Sequence, residues 1–205
     1  MTSNNDFSDQ LEKWIKGQQP KTLDSLISTF GEKSFSVIIL LLMFIPALPL
    51  PTGGITHVFE VVTVIIAAEQ VAGLKTLWLP KFLSRRIKLG KLLGGKAGDE
   101  LIKRLRWFER KSGRRWTWVF RAPGAEQLFG LIIIGFTVAA ALAPPFSGLD
   151  TLPSLGVVLL CLAIIVEDSL LALIAIIIGT AGVLLSLFLG KEITHLIKAH
   201  ILHKK

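Results

Sequence analysis

Apolar residues run along this chain in long blocks, each closed by a short polar or proline-bearing stretch. The first block, Phe35 to Ile45, stops at Pro46. As a helix it would be about 17 Å long at 1.5 Å per residue, against a hydrocarbon core about 30 Å thick. It is too short to cross a bilayer unless it continues through the proline. The second block, Ile55 to Ala72, is interrupted by His57, Glu60 and Glu69. The third, Leu128 to Ala143, ends in Pro144-Pro145, and the fourth, Leu155 to Val166, ends at Glu167-Asp168. The fifth, Leu170 to Leu189, is long enough to span. Segments apolar on every side face lipid or are wholly enclosed, whereas a soluble surface helix needs only a stripe.

The remaining segments do show stripes. Phe7, Leu11, Trp14 and Ile15 recur at helical spacing, with Ser8 as the expected N-cap and Asp9 and Glu12 in the first turn. Leu23, Leu26 and Ile27 repeat the pattern within Thr22 to Phe30. In "WLPKFLSRRIKLGKLL", Phe82, Leu83, Ile87 and Leu93 share a face, and Pro80 suits a first turn. "GDELIKRLRWFERK" predicts another amphipathic helix, started by Gly98 and Asp99, with Leu101, Leu105 and Phe108 as its stripe and Glu100 paired to Arg104 at i,i+4. Ile193, Leu196, Ile197 and Ile201 predict a further interfacial helix in the tail.

The two proline breaks are related. A shift of 98 residues places Pro46 on Pro144, Glu69 on Glu167, and the first two apolar blocks on the third and fourth. Each half then reads as apolar helix, proline break, apolar helix, acidic punctuation. Proline removes a backbone donor, and every buried backbone group in a membrane needs a partner. Pro46, Pro49 and Pro51 with Pro144 and Pro145 are therefore either external hairpin turns or re-entrant breaks whose helix ends form a site.

Charge sharpens the layout. Residues 75–121 hold fifteen Lys and Arg against three acids. Such an excess marks a cytoplasmic loop, and beside apolar blocks it favours anionic lipid headgroups over nucleic acid. Arg85, Arg86, Arg104, Arg114 and Arg115 are the expected headgroup contacts.

Ionisable groups inside apolar segments are costly, which makes them functional candidates. His57 and Glu60 share a helix face at i,i+3 and suit a proton relay or a cation, unless both sit in the headgroup zone. Glu69 falls at the cytoplasmic boundary, and Glu167 and Asp168 divide two apolar segments. Together these five residues are the candidate ion, proton or substrate site. Gly182, Ser186 and Gly190, spaced by four, form a small-residue row for close helix packing and a candidate homodimer face. Cys161 is the single cysteine and lies in an apolar run. His195, His200 and His203 lack a completing ligand, and no metal or cofactor is expected. No phosphate-binding loop, nucleophile elbow or zinc-helix motif is present, so no enzyme activity is expected.

The break "PALPLPTGG", the stretch "WLPKFLSRR" at Trp78–Arg86, and the run from "LFGLIII" through "LAPPFSGLDTLPSLGVVLL" to "IIVEDSLLALIAIIIG" resemble the ExoD-type exopolysaccharide synthesis membrane proteins of bacteria. The resemblance covers residues 22–190. It implies an inner-membrane protein linked to exopolysaccharide production, and it supplies neither a mechanism nor site residues.

The expected fold is an all-α integral membrane protein with two Pro-broken hydrophobic helical repeats plus cytoplasmic amphipathic helices. Its divisions are cytoplasmic or interfacial N-terminal helices (1–33), a first membrane repeat (34–74), a basic amphipathic cytoplasmic region (75–126), a second membrane repeat with an extra transmembrane helix (127–190) and a basic tail (191–205). The expected setting is a multi-pass place in the bacterial inner membrane with the basic loop cytoplasmic. Two functions remain open: a small transporter or channel-like protein with sites at its broken helices, or a non-catalytic scaffold that partners polysaccharide-synthesis proteins.

Overall fold

Each apolar block folds as a helix, and each amphipathic stripe that the structure describes finds a partner. The computed structural model describes residues 7–18, 20–48, 55–74, 95–112, 116–143 and 148–202. Pro49, Pro51, Pro144 and Pro145, the basic residues Arg85, Arg86, Arg114 and Arg115, and the Trp78–Arg86 stretch lie outside the described residues.

Among the described residues the chain is all helix: α1 (Phe7–Lys16), α2 (Leu23–Phe30), α3 (Ser34–Met43), α4 (Ile55–Val71), α5 (Lys96–Lys111), α6 (Trp118–Arg121), α7 (Ala125–Ala141), α8 (Thr151–Val166) and α9 (Ser169–Leu202). Thr22 caps α2 by accepting a hydrogen bond from the Ser25 amide, and a turn of 3-10 helix at Gly31–Lys33 leads into α3. Ser8 does not cap α1. It lies inside the helix, and its hydroxyl and amide both donate to the Glu109 carboxylate on α5. α5 begins at Lys96, a turn's fraction earlier than Asp99 suggested. α8 begins at Thr151, so Pro153 occupies its first turn, where no amide donor is needed. The tail is not a separate helix: α9 continues unbroken to Leu202.

α3 is the centre of the molecule. All ten of its residues are buried. Its all-round apolar character reflects enclosure by protein, and its length need not match a bilayer. Helical turns continue past it, with Phe44 and Ala47 donating to Leu40 and Met43 carbonyls around a buried Pro46.

Around α3 the helices pair across the two halves of the sequence. α3 packs chiefly on α8, and α4 packs chiefly on α7, each more extensively than on its neighbour in sequence. Lys33, at the start of α3, donates to the Ile165 carbonyl near the end of α8. Gly130, near the start of α7, lies against the Ala67 carbonyl and Val71 near the end of α4. Ile165 follows Ala67 by 98 residues, the interval that relates the two proline breaks.

α9 lies against α8, which is its largest interface. Gly156 and Gly179 make this closeness possible. A Cβ on Gly156 would sit 2.5 Å from the Gly179 Cα, and one on Gly179 would sit 2.1 Å from the Phe136 ring of α7. Ser169–Leu189 within α9 is the one helical stretch among the described residues long and apolar enough to cross a membrane. α3, α7 and α8 are apolar but have 10, 17 and 16 residues.

Candidate functional site

The first two turns of α4 carry the most unusual polar group in the fold. His57 and Glu60 are one turn apart, which brings the His57 Nδ1 to 2.7 Å from the Glu60 Oε2. The imidazole is half-exposed, with 44 % of its side-chain surface accessible, whereas the Glu60 carboxylate is fully buried. The pair thus joins an accessible group to an enclosed one.

The second oxygen of Glu60, Oε1, is buried with no hydrogen-bond partner among the described residues. The Thr63 hydroxyl, three residues on and on the same face, is also buried and unpartnered. Thr137 of α7 shows the ordinary arrangement for a buried helical hydroxyl, since it donates 2.8 Å to the Ile133 carbonyl. A buried polar group without a partner costs about 1–3 kcal/mol in proteins, and an unpaired charge costs more. Asp150, beside the start of α8, is close enough to act electrostatically on Glu60 and adds a like charge. Apart from the His57 contact, these groups are buried at a cost, and they supply oxygen acceptors for a proton or small cation.

The other candidate acids lie elsewhere. Glu69 is buried in the last turn of α4, nine residues beyond Glu60, or about 14 Å along the helix. Glu167 ends α8 with φ 55°, left-handed backbone that non-glycine residues rarely adopt. Its carboxylate lies 3.2 Å from the Lys33 Nζ and 3.6 Å from the Arg121 Nη2. Asp168 is buried and caps α9, with Oδ1 accepting from the Leu170 amide at 3.0 Å. The four acids and the histidine therefore form two groups, one at each end of α4, and not one constellation. The prolines described beside them reduce to Pro46, which is buried.

The small-residue row works within the chain. A Cβ on Gly182 would meet Leu152 and Pro153 at 2.7 Å, and the Ser186 hydroxyl donates to the Leu149 carbonyl at 3.1 Å. Gly190 follows on the helical backbone of α9. Arg104 is exposed and pairs with Glu100 at 3.0 Å.

Thr63 and Asp150 were not among the sequence candidates. Helical spacing from Glu60 was enough to reveal Thr63. Asp150 precedes another helix, far along the chain, and only the assembled bundle brings it within electrostatic reach of Glu60. Lys33 and Arg121, which hold Glu167, are far from it in sequence and gave no local signal.

The chain matches the protein family described as "Exopolysaccharide synthesis, ExoD" over residues 7–188. It is 30 % identical over 173 residues to an uncharacterized protein of Synechocystis sp., an alignment covering 82 % of this chain and 74 % of that one. No solved structure matches it. With nearly the whole helical body inside the matched span, this chain belongs to the ExoD family, and exopolysaccharide synthesis is the process in which that family is involved.

Proposed function

We propose that this chain is a multi-pass inner-membrane protein of exopolysaccharide production that binds and passes a proton or small cation at His57 and Glu60, in the manner of a small transporter. One observation carries this reading: Glu60 is fully buried, with one oxygen on the half-exposed His57 and the other unpartnered. Burying such a group costs stability, and membrane-embedded acids are retained where they move or hold charge.

The membrane placement is supported by outward-facing apolar surface. Val61 on α4, Leu128 and Leu131 on α7, and Leu173, Ile177 and Phe188 on α9 are all exposed. In water such a surface invites association; against lipid it is the ordinary exterior. The basic region would face the cytoplasm, with Arg104 and the other arginines of 85–115 at anionic headgroups. The proline-ended α3 would be re-entrant, sheltered by the helices around it. The cross-paired α3/α4 and α7/α8 would be two copies of one unit, joined at the 98-residue interval. The chemistry is transport and not catalysis.

The test is flux through purified protein in proteoliposomes, read with an internal pH dye and with cation substitution, alongside polysaccharide output in cells. Glu60→Gln should abolish flux and reduce output, while Arg104→Gln should leave flux intact. Unchanged flux and output in Glu60→Gln would remove the site.

A second reading, a scaffold for polysaccharide-synthesis machinery, is favoured by one feature. Trp107 on α5, and Trp116 and Trp118 at the start of α6, are exposed, with the Lys111 ammonium 5.1 Å from the Trp107 ring centre. Under this reading, loss of Trp107 and Arg104 together would lower output with flux through Glu60 unaffected.

A further inference from the structure

A cavity of about 570 Å³ opens at the end of the bundle where α3 and α7 begin and α4 and α8 end. It is the far end of α4 from Glu60, and nothing in the proposed ion path uses it. Its volume falls in the range of small-molecule sites. Three features of its wall point to one ligand chemistry.

The first is an aromatic pair. The rings of Phe120 and Phe129 stack with centroids 5.3 Å apart and an angle of 26° between planes. The second is an oriented acceptor. Gln70 is more than nine-tenths buried, and its Nε2 donates to the Glu126 carbonyl at 3.2 Å. That bond fixes the amide and leaves Oε1 buried with no partner among the described residues. The third is a balanced set of charges. Lys33 and Arg121 face Glu126 and Glu167 on the same wall. Lys33 is committed, donating to both the Ile165 carbonyl and Glu167. Arg121, at 3.6 Å from Glu167 and largely exposed, is beyond direct hydrogen-bond distance and keeps its donors available.

We propose that this cavity binds an uncharged pyranose unit, either a free saccharide or the headgroup of a glycolipid. A pyranose offers hydroxyls that both donate and accept, as Gln70 Oε1 and the Arg121 guanidinium require. Its axial C–H face suits the paired Phe rings. A highly charged ligand, such as a sugar nucleotide, would meet no net countercharge among the described residues of the wall.

The test uses the full chain in nanodiscs of phosphatidylglycerol and phosphatidylcholine. Native mass spectrometry compares retention of monoglucosyl- and monogalactosyl-diacylglycerol with plain diacylglycerol. Equilibrium dialysis with radiolabelled methyl glucoside and methyl galactoside tests the free sugar. The glycolipids should be retained about tenfold more than diacylglycerol, and Gln70→Met and Arg121→Gln should each remove most of that preference, as loss of one hydrogen bond predicts. Binding of the free glycosides with the same loss in the variants assigns the site to soluble saccharide. Retention of glycolipid without glycoside binding assigns it to the lipid-borne sugar. Equal retention of glycolipid and diacylglycerol with no glycoside binding overturns the proposal, as does wild-type binding in Arg121→Gln. Arg121 is exposed, so this variant decides the matter even if Gln70→Met fails to fold. Glu60→Gln should bind sugar normally, which separates this site from the ion path.

Discussion

At the scale of single residues, Glu60 has a structural cost without a structural return. Its Oε1 and the Thr63 hydroxyl are buried without partners, and Asp150 adds a like charge nearby. Replacement by an apolar side chain of similar size should therefore stabilise the protein. Glu60→Met is expected to raise the apparent melting temperature in detergent, by about 1–2 kcal/mol in stability, while flux is lost. A lower melting temperature would mean that Glu60 holds the fold together. The His57–Glu60 contact was legible in the sequence because one helical turn separates the two residues. The Lys33–Glu167 contact was not, because 134 residues intervene and only the assembled bundle joins them. Gln70 was passed over for a different reason: beside Glu69 it looks like ordinary helix-end polarity, and only its burial marks it.

At the scale of elements, α1 and α5 form a clasp whose two faces were each visible in the sequence as stripes. Leu11 and Trp14 bury with Leu101 and Leu105. Around this seam, Arg106 bonds Asp9 at 3.0 Å and also Glu12, and Ser8 bonds Glu109. The spacing made Ser8 look like a cap because nothing local shows that Glu109 lies beside it. The Glu12 carboxyl is held below its ordinary range, first by its hydrogen bond from Lys16 and then by the Arg106 charge. A group with a depressed folded-state pKa contributes stability above its unfolded value, and that contribution is lost as pH falls through the folded value. The clasp should therefore be at full strength at neutral pH and loosen below about pH 4. Spin labels at Gln10 and Lys103 should report one narrow distance at pH 7 and a broad distribution near pH 3.5. A distance unchanged at low pH would mean that the apolar seam alone holds the clasp.

At the scale of the whole molecule, the fold depends on cross-pairing. The order of apolar segments was readable from the sequence, as was the 98-residue interval. Which helix meets which was not, because a helix apolar on every side has no preferred face to read. The described packing sets α3 on α8 and α4 on α7, so each half of the chain completes the other's core. Residues 1–112 and 113–205, produced separately, should each be degraded or aggregate. Produced together, with a tag on one, they should co-purify. Recovery of either half as a stable monomer would contradict the interlocked core. One further consequence concerns α9. It is 34 residues long and held against α8 and the turn before it from Gly179 through Gly182 to Ser186, leaving 16 residues of continuous helix to Leu202. That is a rod of about 24 Å beyond Ser186. Phe136 and Gly156 leave no slack at the base of this contact, so the rod follows any tilt of α8 as one piece, and a tilt of about 5° carries its tip through about 2 Å. A tilt of α8 would therefore be read out as a larger displacement at the far end of α9.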